Sequence, residues 1–286
     1  SPVIYTVTSE DGIVTTKYTV SVSGQIRDFG FDEWETIKSS TSGSTEQYDV
    51  PKGLYGTSNP GIMTINEMFG SNLPELFSYT VSPVEGQSGK AAKLQTVYTY
   101  MFLNGMDFNA LLGGLVPYVT AGSLFTGIFK TDMNNTLNST KFGVPFVGEP
   151  ATFTGYYKYT PGTTYYNNKN EVVADKTDEC SIYAVLYEEL LDEENNNIPL
   201  NGDYNDPDLY IGSSKRIVMK AVLEDGTAKS DWTKFSIPFK LLEGKSYDAT
   251  KKYYLAIVCS SSAEGDYFMG APGSTLFIDS FTVTPQ

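Results

Sequence analysis

Thirty-four carboxylates and 21 tyrosines carry most of the chemistry open to this 286-residue chain, because it contains no histidine. That absence removes the Ser-His-Asp and Cys-His nucleophile systems and the commonest ligand of catalytic zinc. The two cysteines, Cys180 and Cys259, lack zinc spacing and lie within alternating apolar runs. They read either as a disulfide or as two buried thiols. Carboxylates working in pairs can hydrolyse a glycosidic bond, at separations of about 5–5.5 Å for retention or about 6.5–9.5 Å for inversion. No local motif marks an acid or a nucleophile, and among so many acids some pair meets those distances by chance. Clustered carboxylates also suit hard cations. Asp203, Asp206 and Asp208 form such a cluster. However, Pro207 and Asp208 occupy places where an EF-hand loop has a ligand and then its turn glycine, and no Glu follows at the twelfth position.

The aromatic residues suggest a different chemistry. A sugar is held by an aromatic face against the apolar side of its ring, with a few oriented polar groups for its hydroxyls. Tyr55 stands beside Thr57, Ser58 and Asn59 in a turn-rich loop and is a surface candidate. Tyr156 and Tyr157 are adjacent in a strand and point to opposite faces, so one packs inside while the other faces a groove or solvent. Tyr165 and Tyr166 follow Pro161-Gly162 in a loop and can form a platform. Trp34 and Trp232 fall in strand-like motifs, where core packing competes with ligand binding and is the better reading of each. The charge balance of 20 Lys+Arg against 34 Asp+Glu, −14 overall, argues against nucleic acid or an anionic membrane surface as partner. A neutral glycan or a cation fits it.

Positioning these residues falls to strands. The chain is rich in Tyr, Phe, Thr and Val, only 19% of it is charged, and its apolar runs are short and bounded by Gly, Pro, Asn and Ser. This rhythm predicts an all-β sandwich or jelly roll without internal repeats. Strands are expected at 91–95, 151–159, 181–187, 216–223, 232–238, 253–259 and 275–283, most of them alternating as half-buried strands do. Residues 108–116 read as one or two helical turns or a buried loop, and 188–208 as a solvated loop. No run approaches the roughly 18 apolar residues of a membrane span, and Ser1-Pro2 does not open a signal peptide. Residues 1–22 alternate through Val3, Tyr5, Val7 and, after Glu10-Asp11-Gly12, Val14 to Val22. They predict a β-hairpin, which is marginal alone in water.

Two stretches carry resemblances. Residues 5–22 resemble the closing strands of small immunoglobulin-like domains of Bacteroidetes surface proteins, so residues 1–24 are expected to be the end of such a domain and 25–286 the main one. The run Ser260 to Val283, with Asp266, Phe268, Gly270, Pro272 and Asp279, resembles the closing signature of the putative carbohydrate metabolism domain family of Bacteroidetes surface lipoproteins. Phe31-Asp-Glu-Trp34, Gly53 to Gly61, Lys90 to Leu94, Ala121 to Gly127, Phe153 to Tyr159 and Asp231-Trp232 support it. The resemblance implies a jelly-roll β-sandwich similar in shape to carbohydrate-binding modules. It also implies noncatalytic binding of a polysaccharide or oligosaccharide at the bacterial outer surface. A lipid anchor upstream of Ser1 and neighbouring glycan-uptake proteins would complete that picture. Adhesion or scaffolding, and carboxylate-dependent glycoside hydrolysis, are the alternatives. Where the family has a Trp before its Asn-Pro or Asn-Gly turn, this chain has Leu54-Tyr55, a smaller sugar face if the position is a platform. The sugar-site candidates are Tyr55, Asn59, Trp34, Tyr157, Tyr165 and Tyr166. No cofactor is required, but one structural calcium is envisaged. Asp279 lies in the apolar final strand, where a carboxylate is costly unless paired or metal-bound, and in related jelly rolls such an acid helps hold calcium with partners from the first strand, here Asp32 or Glu33. The competing reading of Asp279 is a carboxylate bonded to backbone amides.

Overall fold

A computed structural model describes residues 3–9, 15–20 and 27–286. Nine strands carry two facing antiparallel sheets: β1 (Val81–Glu85), β2 (Lys90–Gln95), β3 (Ser123–Phe129), β4 (Pro150–Thr160), β5 (Ser181–Glu188), β6 (Ile217–Val222), β7 (Lys229–Pro238), β8 (Tyr253–Ser260) and β9 (Thr275–Pro285). One sheet runs β3-β8-β5-β6 and is extended by Thr140–Phe142 beside β3 and Lys240–Leu241 beside β6. The other runs β7-β4-β9-β2-β1. The period-two alternation of the sequence sets the register. Ile182, Ala184 and Leu186 of β5, with Leu255 and Ile257 of β8, face Phe153, Tyr157, Ile278 and Phe281 of the second sheet across one core. The result is the all-β jelly-roll sandwich that the sequence predicts.

One expectation fails instructively. β8 does not alternate between buried and exposed residues, since Leu255 through Cys259 are all buried. A sheet so apolar on both faces must be covered on both. The cover comes largely from the insertion after β5, which the sequence presents as a solvated loop. Its first part, around Asp192 to Asn196, is exposed, but Leu200 and Ile211 fold back and pack with Phe125, Phe142, Val185 and Tyr187 on the outer face. Arg216 fastens this insertion by donating to the carbonyls of Glu188 (3.0 Å) and Ile198 (2.7 Å) while its guanidinium lies 5.0 Å from the Tyr187 ring centroid.

The sequence reading also passes over a helix, α1 (Asn59–Phe69). Pro60 in its first turn has the φ a helix start requires, and Ile62, Ile65 and Phe69 recur at helical spacing. Residues 108–116 prove to hold a single turn, Phe108–Leu111, whose first residues are capped by the Asp107 carboxylate accepting from Ala110 N at 3.0 Å. At the N-terminus Val3–Thr8 pairs antiparallel with Thr15–Val20 as a separate two-stranded ribbon, Val3 opposite Val20. The turn expected at Glu10-Asp11-Gly12 lies outside the described residues. Cys180 and Cys259 are buried free thiols, each pushed above its ordinary pKa by burial. Among the described residues no helix is long and apolar enough to cross a membrane.

Candidate functional site

The covered outer face of the β3-β8-β5 sheet is not filled completely. Between it and its cover lies a cavity of about 250 Å³. Phe125, Tyr183 and Val258 project from the strands as its floor, a direct consequence of alternation in β3, β5 and β8. α1 supplies Ile65 and Met68, the loop after β3 supplies Met133 and Leu137, and the long insertion supplies Tyr210 and Ile211. The loop after β8 closes the ring with Asp266 and Phe268.

Asp266 gives this apolar space a polar point. The Tyr210 hydroxyl donates to its Oδ2. Desolvation raises the Asp266 carboxyl above the ordinary aspartate pKa, against the lowering effect of that hydrogen bond. Tyr210 is in turn raised, first by burial and then by Asp266, and Tyr183 is raised by burial with a smaller effect of the same carboxylate. Tyr204 stacks on Tyr267 with ring centroids 5.0 Å apart and 27° between planes, and meets Tyr210 edge-on at 6.5 Å and 88°. Tyr267 keeps 39% of its surface exposed. Tyr210 and Asp266 line the cavity, and the stacked Tyr204–Tyr267 pair, which does not line it, adjoins them and adds an aromatic face. Among the described residues Asp266 is the only carboxylate lining the cavity, and no Lys or Arg lines it.

The rim loop is held at both ends by one buried acid. Asp178 Oδ2 accepts from Ser262 Oγ (2.6 Å) at the start of the loop, and from Ala271 N (2.8 Å) and Ser274 Oγ (2.7 Å) at its end, while Oδ1 accepts from Glu179 N at 2.9 Å. Gly270 permits the approach, since a Cβ there would lie 2.3 Å from Ser262 Oγ. Between the clamped ends, Phe268 adopts a left-handed backbone with φ of 58°. A bulky residue held there stores about 1–3 kcal/mol of strain, which the clamp must sustain.

The residues nominated from sequence lie elsewhere. Tyr55, expected on the surface, packs against Phe31 at 5.4 Å between ring centroids and adjoins the main core. Burial pushes its hydroxyl up, and that hydroxyl has no hydrogen-bond partner among the described residues. The residue that replaces the family's Trp is therefore a packing residue. Asn59 is buried, donating to the carbonyls of Asp49 (3.1 Å) and Val81 (2.8 Å) and accepting from Thr80 Oγ1 (3.0 Å) and Val81 N (2.9 Å), which fixes the start of α1. Trp34 packs on the core edge, its indole donating to Phe31 O at 2.6 Å. Tyr157 is the inward member of its pair and donates to Asp225 O at 3.0 Å. Trp232, read as core, instead lies on the outer side of its sheet with Lys158 Nζ 4.9 Å from its ring centroid. Tyr165 is buried, its hydroxyl donating to Glu264 and its ring 4.3 Å from Lys176 Nζ.

Tyr166 alone of these candidates joins a partly exposed aromatic surface. It stacks on Tyr98 at 5.0 Å and 27°, and the cluster continues through Tyr100 to Tyr118 and Phe102. None of the six candidates lines the cavity. The residues that do line it were in view: Asp266 and Phe268 stand in the closing signature, and Tyr210 in the polar insertion. Asp266 follows Gly265, a pattern that by itself suggests only a turn, and the insertion reads as solvated.

The two acids nominated for calcium meet around one turn. Asp279 Oδ2 accepts from Gln87 N (2.7 Å) and Ser88 N (3.1 Å), and Asp32 Oδ1 accepts from Lys90 N (3.0 Å), so together they brace the β1–β2 turn. For Asp279 this is the backbone-amide alternative to metal. Asp203 accepts from Asn135 Nδ2 (2.6 Å) and Asn205 N (2.9 Å), and Asp206 from Asp208 N (3.1 Å). No group of three or more Cys, Asp or Glu able to hold a metal occurs among the described residues. Because backbone amides already brace one oxygen of each acid, Asp279 Oδ2 and Asp32 Oδ1, chelation with EDTA is expected to leave the thermal midpoint within about 1 °C of its starting value. By mass action, a tightly bound structural calcium would instead make the midpoint fall by several degrees on chelation.

The family match identifies this sandwich as a carbohydrate-related β-domain. The family described as putative carbohydrate metabolism domain matches residues 30–284, and the chain belongs to that family. It is similar over its whole length to a putative glycoside hydrolase from Bacteroides thetaiotaomicron, at 32% identity and a TM-score of 0.71, with 79% of that chain covered. A putative glycoside hydrolase from Bacteroides vulgatus matches at 26% identity and a TM-score of 0.66, covering 91% of this chain and 98% of that one. No curated protein matches.

Proposed function

We propose that this chain binds glycan noncatalytically through the rimmed cavity, at the outer surface of a bacterium. The observation that carries the reading is the composition of the site: among the described residues the one carboxylate lining the cavity, Asp266, is bound by Tyr210, and the partly exposed Tyr204–Tyr267 pair stands beside them. The tyrosine faces offer what a pyranose needs, and Asp266 offers charge-assisted acceptance of its hydroxyls. Hydrolysis ordinarily requires a second carboxylate across the bond. It is nevertheless the second reading, because the two similar solved chains are both named putative glycoside hydrolases. The partners in this proposal are a polysaccharide or oligosaccharide and neighbouring glycan-uptake proteins, with attachment through an upstream lipid anchor.

The test is binding to a panel of plant, mucin and microbial polysaccharides with reducing-sugar release followed in the same wells. Binding without release is the expected result. Release that Asp266→Asn abolishes would replace binding by hydrolysis as the function, and silence in every well would leave adhesion.

A pH titration of affinity adds a second check on the site. Affinity that depends on ionised Asp266 is present above its raised pKa and lost as pH falls through it, so the midpoint should lie above the ordinary 3.8. Tyr210→Phe removes a hydrogen bond that favours the ionised form and should move that midpoint further up.

A further inference from the structure

The cavity below the rim is poorly suited to a bare sugar. Its floor and walls present Phe125, Phe142, Val258, Ile211, Leu137 and Met133. Many of the hydroxyls that line it are already engaged within the protein, Thr140 Oγ1 being a buried one that is not. Ser58 Oγ meets Thr80 Oγ1 at 2.7 Å, Thr64 donates to Pro60 O at 2.9 Å, and Ser139 Oγ accepts from Asp132 N at 3.0 Å. Ser260 donates to Ser262 O at 2.7 Å, Ser262 donates to Asp178, and Tyr210 to Asp266. A pyranose pushed to the floor would bury several hydroxyls without partners, each an unfavourable transfer. An apolar group has no such penalty and gains from every carbon buried.

Size and charge narrow the occupant. A cavity of about 150 Å³ lined by similar side chains is large enough for benzene, so about 250 Å³ accepts a substituted aromatic ring or a medium acyl or alkyl chain. Among the described residues no cation lines the space and Asp266 stands at it, so an anionic group such as a free fatty acid is disfavoured. We infer that the cavity receives a neutral apolar substituent carried by the glycan, an acyl or aryl group, while the sugar itself lies on the tyrosine rim. This inference rests on the glycan-binding reading and names the class of glycan.

The experiment compares methyl, hexyl and p-nitrophenyl glycosides of the sugar that the polysaccharide panel selects, or of glucose should it select none, by isothermal titration below any micelle concentration. The hexyl and p-nitrophenyl arms separate a chain from a ring, and at least one should bind tenfold or more tighter than the methyl glycoside, about 1.4 kcal/mol. Val258→Phe fills the floor and should erase the difference between the three glycosides. Met133→Trp, at a lining residue that is 42% exposed and so tolerates enlargement, should reduce the same difference without relying on the sheet interior. Equal affinity for all three glycosides overturns the inference and leaves polysaccharide binding standing. A preference that survives both variants also overturns it, by placing the apolar group elsewhere. Apolar glycosides binding in a cavity-dependent way, with a silent polysaccharide panel, would support the apolar site and remove the polysaccharide.

Discussion

Asp178→Ala is expected to destabilise the protein by about 3–5 kcal/mol, because it strands four donors around a site where the wild-type residue is 2% exposed. At the usual sensitivity of domains this large, the thermal midpoint falls by on the order of 10 °C. Asp178→Asn should be milder, since one oxygen can still serve the three bonds made by Oδ2. Burial raises Asp178 above its ordinary pKa, so the folded chain holds this proton more tightly than the unfolded one. Its stabilising contribution is complete below the ordinary aspartate value of about 4 and declines as pH rises through the raised value. The stability gap between wild type and Asp178→Asn should therefore narrow on going from about pH 4 upward in urea melts. A gap that widened with pH would mean that the hydrogen bonds to the charged form outweigh its burial. Because the same carboxylate ties Ser262 to Ala271 and Ser274, the alanine variant should also lose ligand affinity at temperatures where it is still folded.

Phe281→Ala is the second large effect, again about 3–5 kcal/mol, measured by denaturant unfolding. Its ring sits edge-on to Phe31 (5.3 Å), Phe153 (5.1 Å) and Phe235 (5.6 Å) at the centre of the sandwich. The neighbouring β4 residue must be glycine for the same reason: a Cβ on Gly155 would lie 2.4 Å from Phe281 Cδ1 and 2.8 Å from Phe235 Cζ. Gly155→Ala alone should cost about 1–3 kcal/mol by overpacking. In the Phe281→Ala background it should cost less, because half of the clash is gone. Strict additivity of the two would refute the packing account.

The strands were legible because alternation is a local property: each expected strand from 91–95 to 275–283 appears, extended by a residue or more in most cases. Alternation distinguishes two faces but does not say what covers them. It therefore gave no sign that Val185, Ala256 and Val258 lie under a lid built from Leu200 and Ile211, residues in a stretch whose neighbours are mostly polar. The same blindness hid the site. Tyr210 reaches the cavity, with Tyr204 beside it, only when that insertion folds back, and Asp266 gains its tyrosine partner only then. Tyr55 shows the converse error, since a turn-rich surrounding sequence suggested exposure while its strand, Tyr55–Thr57, pairs with β3 and turns the ring toward Phe31. Asp178 had no sequence signal at all, because the three donors through which it clamps the loop are 84 to 96 residues away.

We propose sugar recognition at the Tyr204–Tyr267 pair beside the cavity and not on the other tyrosine cluster. The most direct measurement is calorimetric titration of the best-binding oligosaccharide into wild type, Tyr267→Ala and Tyr98→Ala. Loss of a stacking face is worth up to about 1.5 kcal/mol, so Tyr267→Ala should weaken binding by up to roughly tenfold while Tyr98→Ala matches wild type. Unchanged affinity in Tyr267→Ala with a loss in Tyr98→Ala would move the site to the surface that Tyr166 shares and contradict the assignment of the cavity.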